Sequence, residues 1–521
     1  MSAYEHDCRR VPSCCSCGGH AASTAGLTRR LFLGGAAMGG AVLGGLSWSA
    51  LASGGNDIPA APARKKLVVK PILTYDDPQP RPQTSWRGWG GVHGQAAAEE
   101  EVGRIREELD GIAAKADFPV EFLPITAIRG TGELPSAGDL TEPDVFVIYA
   151  AGGGQDIFDQ IKKAAPDADL IFFVRHRSGP IYLWYEIIIP RYLRQHTDEL
   201  ALERVQFDDV VVDEPDEVLW RLRALCGLKN TVGSRILAIG GPGGWAQPAG
   251  VVPDLARDRW KLDIQTVTYE DLSELIRQAR ADEAAVARAK HRAEEYLTIP
   301  GTTLETDMAF VEGCFLLDEI FRALMKEADC GAITVHHCMG TIMPASDTTA
   351  CLTLTTLLDD GYLAFCESDF VAIPAGLLLG NISGLPPFLC NPNFPHQGIM
   401  TLAHCAGPRK MDGKNYEPVR IMTHFESDYG AAPKIDLKLG QELTCLITDF
   451  AAEKWQGVSG EIIENPFMPI CRTQIEVRFP VDTAMLAEKM RGFHWMLGYG
   501  NYLREAGYAL RRTAIDWERL S

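Results

Sequence analysis

The chain has 521 residues, more than one hydrophobic core usually serves, so two or three domains are expected. Hydrophobic residues make up 46% and charged residues 23%, which is typical of folded globular proteins and excludes a disordered, collagenous or coiled-coil chain. The formal net charge of −19, without a cationic cluster in the sequence, argues against nucleic acid as a partner.

The first segment predicts an export signal. Arg29 and Arg30 precede a charge-free run rich in Gly and Ala over residues 34–52, and Ala50-Leu51-Ala52 offers a small-x-small cleavage site. We therefore expect residues 1–52 to be a twin-arginine signal peptide and the protein to be periplasmic or otherwise exported. A single membrane anchor is the alternative, since the run is about long enough to span a bilayer. Its many glycines favour cleavage, after which no stable membrane insertion is expected.

The next elements in chain order predict an α/β fold. Residues 53–65 are rich in Gly, Ala and Pro and predict a flexible tether. Beyond them, short apolar runs alternate with helix-like segments, at residues 145–149, 170–174, 210–212 and 236–239. This alternation is typical of a Rossmann-like parallel sheet with helices on both faces.

Three folded domains are expected after the tether. An N-terminal α/β domain is predicted over residues 66–240 and a second α/β domain over 241–395. Alternating apolar and polar runs separated by Gly and Pro then predict a mainly antiparallel β domain with a terminal helix over 396–521. The ten cysteines outside the leader stand in apolar contexts, which predicts buried free thiols rather than a disulfide framework.

Known catalytic motifs are missing from the sequence. The glycine-rich turns at 151–154 and 240–245 do not spell Gly-x-Gly-x-x-Gly, and there is no Gly-x-Ser-x-Gly, His-Glu-x-x-His or phosphate-binding Gly-Lys-Ser/Thr pattern. Dinucleotide binding and serine hydrolysis are therefore disfavoured. The turns remain of interest because ligands bind at the carboxyl edge of open α/β sheets.

Two acids follow a predicted apolar strand. Glu367 and Asp369 are spaced i, i+2, which in extended backbone places both side chains on one face. Two carboxylates leaving an apolar strand together need a cation or a shared proton to offset their repulsion. A hard divalent cation with imidazole ligands meets that need. Candidate imidazoles are those of His404, His424 and His494, each of which is alone also compatible with a satisfied core histidine.

These segments resemble a known enzyme group. The residues at 366–369, 383–388 and 403–405 are similar to the catalytic region of L-fucose isomerase-like proteins, and the Gly-x-His element at His494 is similar to the late histidine of fucose and arabinose isomerases. The resemblance covers about residues 66–515. It implies a metal-dependent aldose–ketose isomerase that moves a proton between adjacent carbons through an enediolate. It also implies a monosaccharide substrate, a homo-oligomer and a divalent cation, Mn²⁺ first, with Mg²⁺ or Co²⁺ as alternatives.

The resemblance also implies roles for individual residues. Asp347, Glu367 and Asp369 are the expected catalytic acids and, with His494, the expected metal ligands; Asp347 is the nearest match to a required upstream acid. The expected substrate-binding residues are His404, His424, Trp86 and Arg87, the last two supplied by a neighbouring subunit.

Two other functions remain open on the sequence. One is a periplasmic carbohydrate-binding or sensing protein that retains the isomerase fold without turnover, which the export signal favours. The other is a hydrolase or lyase that uses the same metal on exported glycans.

Overall fold

The computed structural model describes residues 43–52, 59–182, 188–198, 205–245 and 251–520. Within those ranges, none of the helices combines the length and apolarity needed to cross a lipid bilayer. The strands are β1 (Leu67–Thr74), β2 (Val120–Phe122), β3 (Thr126–Ile128), β4 (Val145–Ala150), β5 (Asp169–Val174), β6 (Val210–Val212), β7 (Arg235–Ile239), β8 (Asp263–Val267), β9 (Thr302–Glu305), β10 (Ala332–Val335), β11 (Leu363–Cys366), β12 (Phe388–Pro392), β13 (Ile399–His404), β14 (Val419–His424), β15 (Tyr429–Ile435), β16 (Glu442–Thr448), β17 (Lys454–Glu464), β18 (Thr473–Arg478), β19 (Trp495–Tyr499) and β20 (Asp516–Arg519). The helices are α1 (Trp48–Leu51), α2 (Gly94–Lys115), α3 (Ala137–Thr141), α4 (Gln155–Ala164), α5 (Ile188–Leu193), α6 (Asp216–Thr231), α7 (Val251–Trp260), α8 (Tyr269–Ala281), α9 (Glu283–Leu297), α10 (Met308–Glu327), α11 (Cys338–Ser346), α12 (Cys351–Asp359), α13 (Ile373–Ser383), α14 (Thr483–Lys489) and α15 (Leu503–Leu510).

Two parallel sheets form the first two thirds of the chain. The first has the order β2-β1-β4-β5-β6, with β3 also pairing with β1, and the second has the order β11-β10-β7-β8. All of these pairings are parallel. Every residue of β4 and of β10 is buried, which indicates that both faces of each sheet are covered. The predicted α/β fold class is thereby confirmed.

The C-terminal sheet is antiparallel and closes into a barrel. Its strands follow the order β16-β19-β12-β13-β18-β17, and β17 pairs again with β16. Strand β20 adds to β17 in parallel, outside the closed ring. The barrel begins with β12 at Phe388, ahead of the expected boundary at residue 396. A smaller sheet of order β15-β14-β9 accompanies the barrel.

Helices α6 and α13, which follow β6 and β11 in the chain, pack closely against each other. Asn381 of α13 donates from its side-chain amide to the carbonyl of Asn230 at 3.2 Å and to the hydroxyl of Thr231 at 3.2 Å. Gly227 on α6 faces Ile382, and a Cβ added at Gly227 would lie 2.9 Å from the Cα of Ile382. Glycine at position 227 therefore allows the two helices to approach this closely.

Gly227→Ala is expected to destabilise the fold by about 1–3 kcal/mol because an overpacked helix contact forces the backbones apart. Gly103→Ala in α2 is the matched control, since no atom of the described chain lies within 4 Å of the Cβ that it would add. That control should gain about 0.5–1 kcal/mol from higher helix propensity. Thermal melts of both variants check that the melting temperature falls for Gly227→Ala and rises for Gly103→Ala. An unchanged melting temperature of the Gly227→Ala variant would contradict the close packing of the two helices.

Part of the predicted leader is packed on the protein. Residues 1–42, with Arg29 and Arg30, lie outside the described residues, so the export signal stays a prediction. Trp48 is buried against the second α/β domain, where its indole N–H donates to Asp282 at 2.9 Å and its backbone N–H to Gln278 at 2.7 Å. A cut after Ala52 would remove this residue from the apolar core that it contacts.

The described half of the predicted tether is held by hydrogen bonds. The guanidinium of Arg64 donates to the carbonyl of Asn381 at 3.0 Å, and the backbone N–H of Lys65 donates to the side chain of Asn230 at 2.7 Å. The hydroxyl of Tyr362 donates to the carbonyl of Pro59 at 2.9 Å. Residues 59–65 are therefore anchored, contrary to the flexible tether expected there, while 53–58 lie outside the described residues. The small and polar residue types at positions 59–65 gave no indication of these hydrogen bonds.

Candidate metal centre at the carboxyl edge of the second sheet

Three neighbouring strands of the second sheet end at the same edge. The glycine-rich turn at 240–244 follows β7, His336 follows β10, and Glu367 follows β11. The turn lies against the end of β11, where the backbone N–H of Gly243 donates to the carbonyl of Ser368 at 3.1 Å. A side chain at position 243 would meet the ring of His336. This edge is where parallel α/β sheets bind ligands.

The backbone turns sharply after Cys366. Glu367 and Ser368 have φ values of 67° and 46°, in the left-handed region. Such conformations cost roughly 1–2 kcal/mol per non-glycine residue, and they cluster at functional sites. The expectation that Glu367 and Asp369 leave an extended strand on one face is wrong, because β11 ends at Cys366. The Asp369 side chain is instead buried, and that of Glu367 is 31% exposed.

The barrel brings two histidines to this edge. His404 is the last residue of β13, and His494 immediately precedes β19. Strand β12 lies between them, with Asn391 paired to Ala403 and Cys390 paired to Trp495. Both histidines therefore lie at the same level of the barrel, although 90 positions separate them in the sequence.

Glu367 lies between the two imidazole rings. One carboxylate oxygen, Oε1, is 3.4 Å from Nε2 of His404, and the other, Oε2, is 3.3 Å from Nε2 of His494. The ring centroids of the two histidines are 5.8 Å apart. We call Glu367, His404 and His494 the Glu367 cluster. Three of the four site residues on which the sequence interpretation depends most are thus brought together, with Asp369 next to them.

Asp369 orients His494 from the opposite side of the ring. Its Oδ2 lies 2.7 Å from Nδ1 of His494, while its Oδ1 accepts the backbone N–H groups of Val371 at 3.1 Å and Trp245 at 3.2 Å. A carboxylate that accepts from one ring nitrogen leaves the other nitrogen as a free ligand and fixes its direction. Asp369 therefore contacts the cluster through His494 and does not face the gap between the rings, where it was expected as a metal ligand.

The facing atoms of the cluster have no hydrogen-bond partners. Within the described part of the chain, this holds for Oε2 of Glu367, Nε2 of His494 and both ring nitrogens of His404, all of which are buried. The separations of 3.3 and 3.4 Å exceed the about 2.7–2.9 Å of a charge-assisted hydrogen bond. Leaving a buried polar atom unpaired costs about 1–3 kcal/mol. A cation bound between Glu367 and the two rings would satisfy the atoms that face one another, which are Oε2 of Glu367 and Nε2 of each histidine.

The group of residues whose ligand atoms lie close enough together to hold one metal ion includes a thiol and does not include His494. One ligand atom each from Cys366, Glu367 and His404 lie within 4.8 Å of one another. All ten cysteines of the described chain are free, as expected, and Cys366 is one of three that are not fully buried. The sequence interpretation missed it because it assigned every cysteine to the core. Its position next to Glu367, at the end of a strand in a parallel sheet, was the available signal.

The charges of the cluster shift its pKa values. Burial alone would raise the pKa of Glu367, but the proximity of His404 and His494 outweighs it and holds that pKa well below its ordinary value. For His494 burial lowers the pKa, but Asp369 and Glu367 outweigh this effect and raise the pKa to about 9. In the metal-free protein near pH 7, Glu367 is therefore ionised and His494 carries a proton on each nitrogen.

Metal binding is expected to release the Nε2 proton of His494. Since this proton is bound below about pH 9, its release alone should raise the affinity for a divalent cation by about tenfold per pH unit between about pH 7 and pH 9. Titration calorimetry in two buffers of different ionisation enthalpy checks the release. An affinity that does not change between pH 7 and 8 would contradict the assignment of His494 as a ligand.

The remaining predicted site residues have different surroundings. His424, at the end of β14, is buried, burial lowers its pKa, and its Nδ1 lies 3.3 Å from the hydroxyl of Ser427. Asp347 does not join it. Its carboxylate, 66% exposed, pairs with Arg280 at 2.9 Å. The resemblance indicated only how far upstream of Glu367 the second acid should lie. Asp347 lies at about that distance, but it follows α11 rather than a strand, so no strand places it at the carboxyl edge of the sheet.

Trp86 and Arg87 belong to the first α/β domain. The Arg87 guanidinium lies 4.7 Å from the ring centroid of Trp86, and Arg87 is exposed. The following Gly91 bonds through its N–H to the carbonyl of Ile181 at 2.6 Å. No contact within the described chain joins these two residues to the Glu367 cluster, so their role at the site stays a prediction that requires a second subunit.

An aromatic pair at the rim was also missed. Trp245 and Phe493 stack with centroids 5.0 Å apart and an interplanar angle of 15°, and both are partly exposed. Phe493 also contacts the ring of His494 at 4.7 Å between centroids. The signal in the sequence was their position, in a turn at the carboxyl edge of the sheet and next to a candidate ligand.

A wide cleft of about 1060 Å³ lies at the other end of the second sheet. It is lined by the amino ends of β7, β10 and β11 and by residues 59–65. Two of its arginines are paired, Arg322 with Asp360 at 2.8 Å and Arg235 with Asp263 at 2.6 Å. Volume alone therefore does not indicate the reactive site of this protein.

The fold and the site together define a mixed α/β and β-barrel protein with a candidate metal centre between the sheet and the barrel. Comparison with models of known protein families and with curated proteins finds no match to this chain.

Proposed function

We propose that the protein is a metal-dependent aldose–ketose isomerase whose reaction centre is the Glu367 cluster. The observation that carries the proposal is the convergence of Glu367, His404 and His494 with unpaired ligating atoms facing one another. The sequence resemblance also supports it, because the same three residues are among those that it assigns to the site. Export through the twin-arginine route and homo-oligomer formation are part of the same proposal.

The donor atoms of the cluster suit a divalent cation. One carboxylate and two imidazoles fit Mn²⁺, the ion that the resemblance implies, or Co²⁺; they fit Mg²⁺ less well because it prefers oxygen ligands alone. A divalent cation held there supplies a Lewis acid that polarises the carbonyl oxygen of an aldose and acidifies the hydrogen on the neighbouring carbon.

The chain's own residues then bind the sugar and move the proton. Glu367 is ionised and 31% exposed, so it is the carboxylate that a sugar entering the site can reach. We assign it the transfer of the proton from one carbon to the next, first as base and then as acid. We also assign His424, a buried imidazole with a lowered pKa, a hydrogen bond to a sugar hydroxyl. The exposed faces of Trp245 and Phe493 offer an apolar surface for the sugar ring.

A panel of aldoses incubated with metal-loaded protein tests the function. Ketose is expected from at least one aldose in the presence of Mn²⁺ or Co²⁺, and none after chelation. A sugar-dependent rise in melting temperature without ketose would instead support the binding or sensing protein. Absence of both ketose and thermal shift across the panel would contradict a sugar as the ligand.

A further inference from the structure

Cys366 and Glu367 point into the same site although they are neighbours in sequence. Successive side chains of a strand project to opposite faces, so a thiol and a carboxylate at adjacent positions normally lie apart. The φ of 67° at Glu367 ends this alternation. As a result, ligand atoms of Cys366, Glu367 and His404 lie within 4.8 Å of one another.

These separations suit coordination of one ion after a small contraction. Around a tetrahedral ion with bonds of about 2.0–2.3 Å to nitrogen, oxygen and sulfur, the ligand atoms lie roughly 3.3–3.8 Å apart. The two left-handed residues, Glu367 and Ser368, hold the backbone in a shape that extended strands lack. That backbone shape brings the thiol toward the cluster. The position of Cys366 therefore has a geometric reason other than core packing.

A sulfur ligand changes which ions the site prefers. Thiolates select borderline and soft cations, whereas Mg²⁺ and Mn²⁺ prefer oxygen ligands. With one thiolate and up to two imidazoles beside the carboxylate, Co²⁺ and Zn²⁺ are favoured over Mn²⁺. The fucose and arabinose isomerase resemblance implies acids and a histidine as ligands, a set that gives a smaller preference for Co²⁺ and Zn²⁺ over Mn²⁺ than one with a thiolate does.

We infer that Cys366 is a thiolate ligand of the ion held by the Glu367 cluster and that the site therefore prefers Co²⁺ or Zn²⁺ to Mn²⁺. This inference rests on the metal centre of the proposed function but not on turnover. As the sulfur–metal bond forms, the S–H bond breaks and its proton passes to water. Cys366 thus becomes the residue that determines metal specificity.

Cobalt absorption tests the inference directly. The full-length protein is stripped with a chelator and titrated with Co²⁺ under nitrogen. We expect a near-ultraviolet charge-transfer band from thiolate to Co²⁺ that saturates with one equivalent, beside the weaker visible bands of the ion. In Cys366→Ser the charge-transfer band should vanish while the visible bands remain. The preference for Co²⁺ over Mn²⁺, measured by competition, should fall by roughly tenfold or more.

Cys338→Ser is the matched control. Cys338 begins α11 near the site, but its Sγ accepts the backbone N–H of Ala350 at 3.4 Å, and it lies outside the ligand group. Its replacement should leave the charge-transfer band unchanged. If the Cys366→Ser variant fails to fold, Cys366→Ala is measured in its place, because a band in the wild type shows a thiolate ligand without showing which cysteine supplies it.

The outcomes separate this inference from the proposed function. Visible Co²⁺ bands without a charge-transfer band in the wild type would overturn Cys366 as a ligand and leave the metal centre intact. A band lost with Cys338→Ser and kept with Cys366→Ser would overturn it as well. If no Co²⁺ band appears at all, the metal centre and the inference fail together.

Discussion

Glu367→Gln is expected to abolish both tight metal binding and turnover. The amide keeps the size of the side chain but lacks the negative charge that faces the two imidazoles at 3.3 and 3.4 Å. It also lacks a basic oxygen for proton transfer, a contribution worth about 10²–10⁴-fold in rate. We therefore expect the rate of ketose formation to fall by about 10³-fold or more, together with loss of bound metal after dialysis. Elemental analysis and single-turnover assays measure the two effects.

Asp347→Asn is the matched control for this loss. Asp347 is 66% exposed and paired with Arg280, so its replacement should change stability by less than about 1 kcal/mol and leave metal content and rate within about twofold. The account would be contradicted if Asp347→Asn removed the metal while Glu367→Gln retained it. Such a result would restore Asp347 to the metal site that the resemblance gave it.

Asp369→Asn is expected to weaken metal binding by about 10–100-fold. The asparagine oxygen can still accept the N–H groups of Val371 and Trp245, so the turn should fold. The carboxylate charge that accepts from Nδ1 of His494 is lost, and the ring no longer has a fixed direction for Nε2. Titration of the variant with Co²⁺ or Mn²⁺ gives the affinity.

A positioning role predicts rescue by excess metal. With the site saturated, Asp369→Asn should recover most of the wild-type rate, while Glu367→Gln should not. If saturating metal leaves Asp369→Asn as slow as Glu367→Gln, then Asp369 takes part in the chemistry itself. Circular dichroism and melting temperature of both variants show whether the fold is retained.

The sequence predicted much of the site because residue type and strand position are both local signals. Glu367 follows an apolar strand, and His404 and His494 flank strands of the β domain. These positions, together with the family resemblance, selected three residues that meet in space. The extended geometry assumed for Glu367 and Asp369 failed, because two consecutive left-handed residues leave no pattern in a single sequence.

Other features depend on contacts between distant segments. Alternating runs predicted the strands of the β domain, but closure of the barrel needs β16 to pair with both β17 and β19, which strand patterns do not specify. Asp347 was selected by its distance from Glu367 along the chain. That distance does not determine whether a carboxylate that follows α11 faces the cluster or the solvent. Trp48 was assigned to the leader by composition, although its indole is buried beside α8.

Anomalous diffraction from crystals grown with Co²⁺ tests the central claim most directly. The account predicts one strong peak within about 2.0–2.4 Å of a Glu367 oxygen, a His404 nitrogen and Nε2 of His494. A map without a peak between these side chains, or with the ion bound at Asp347 instead, would contradict it.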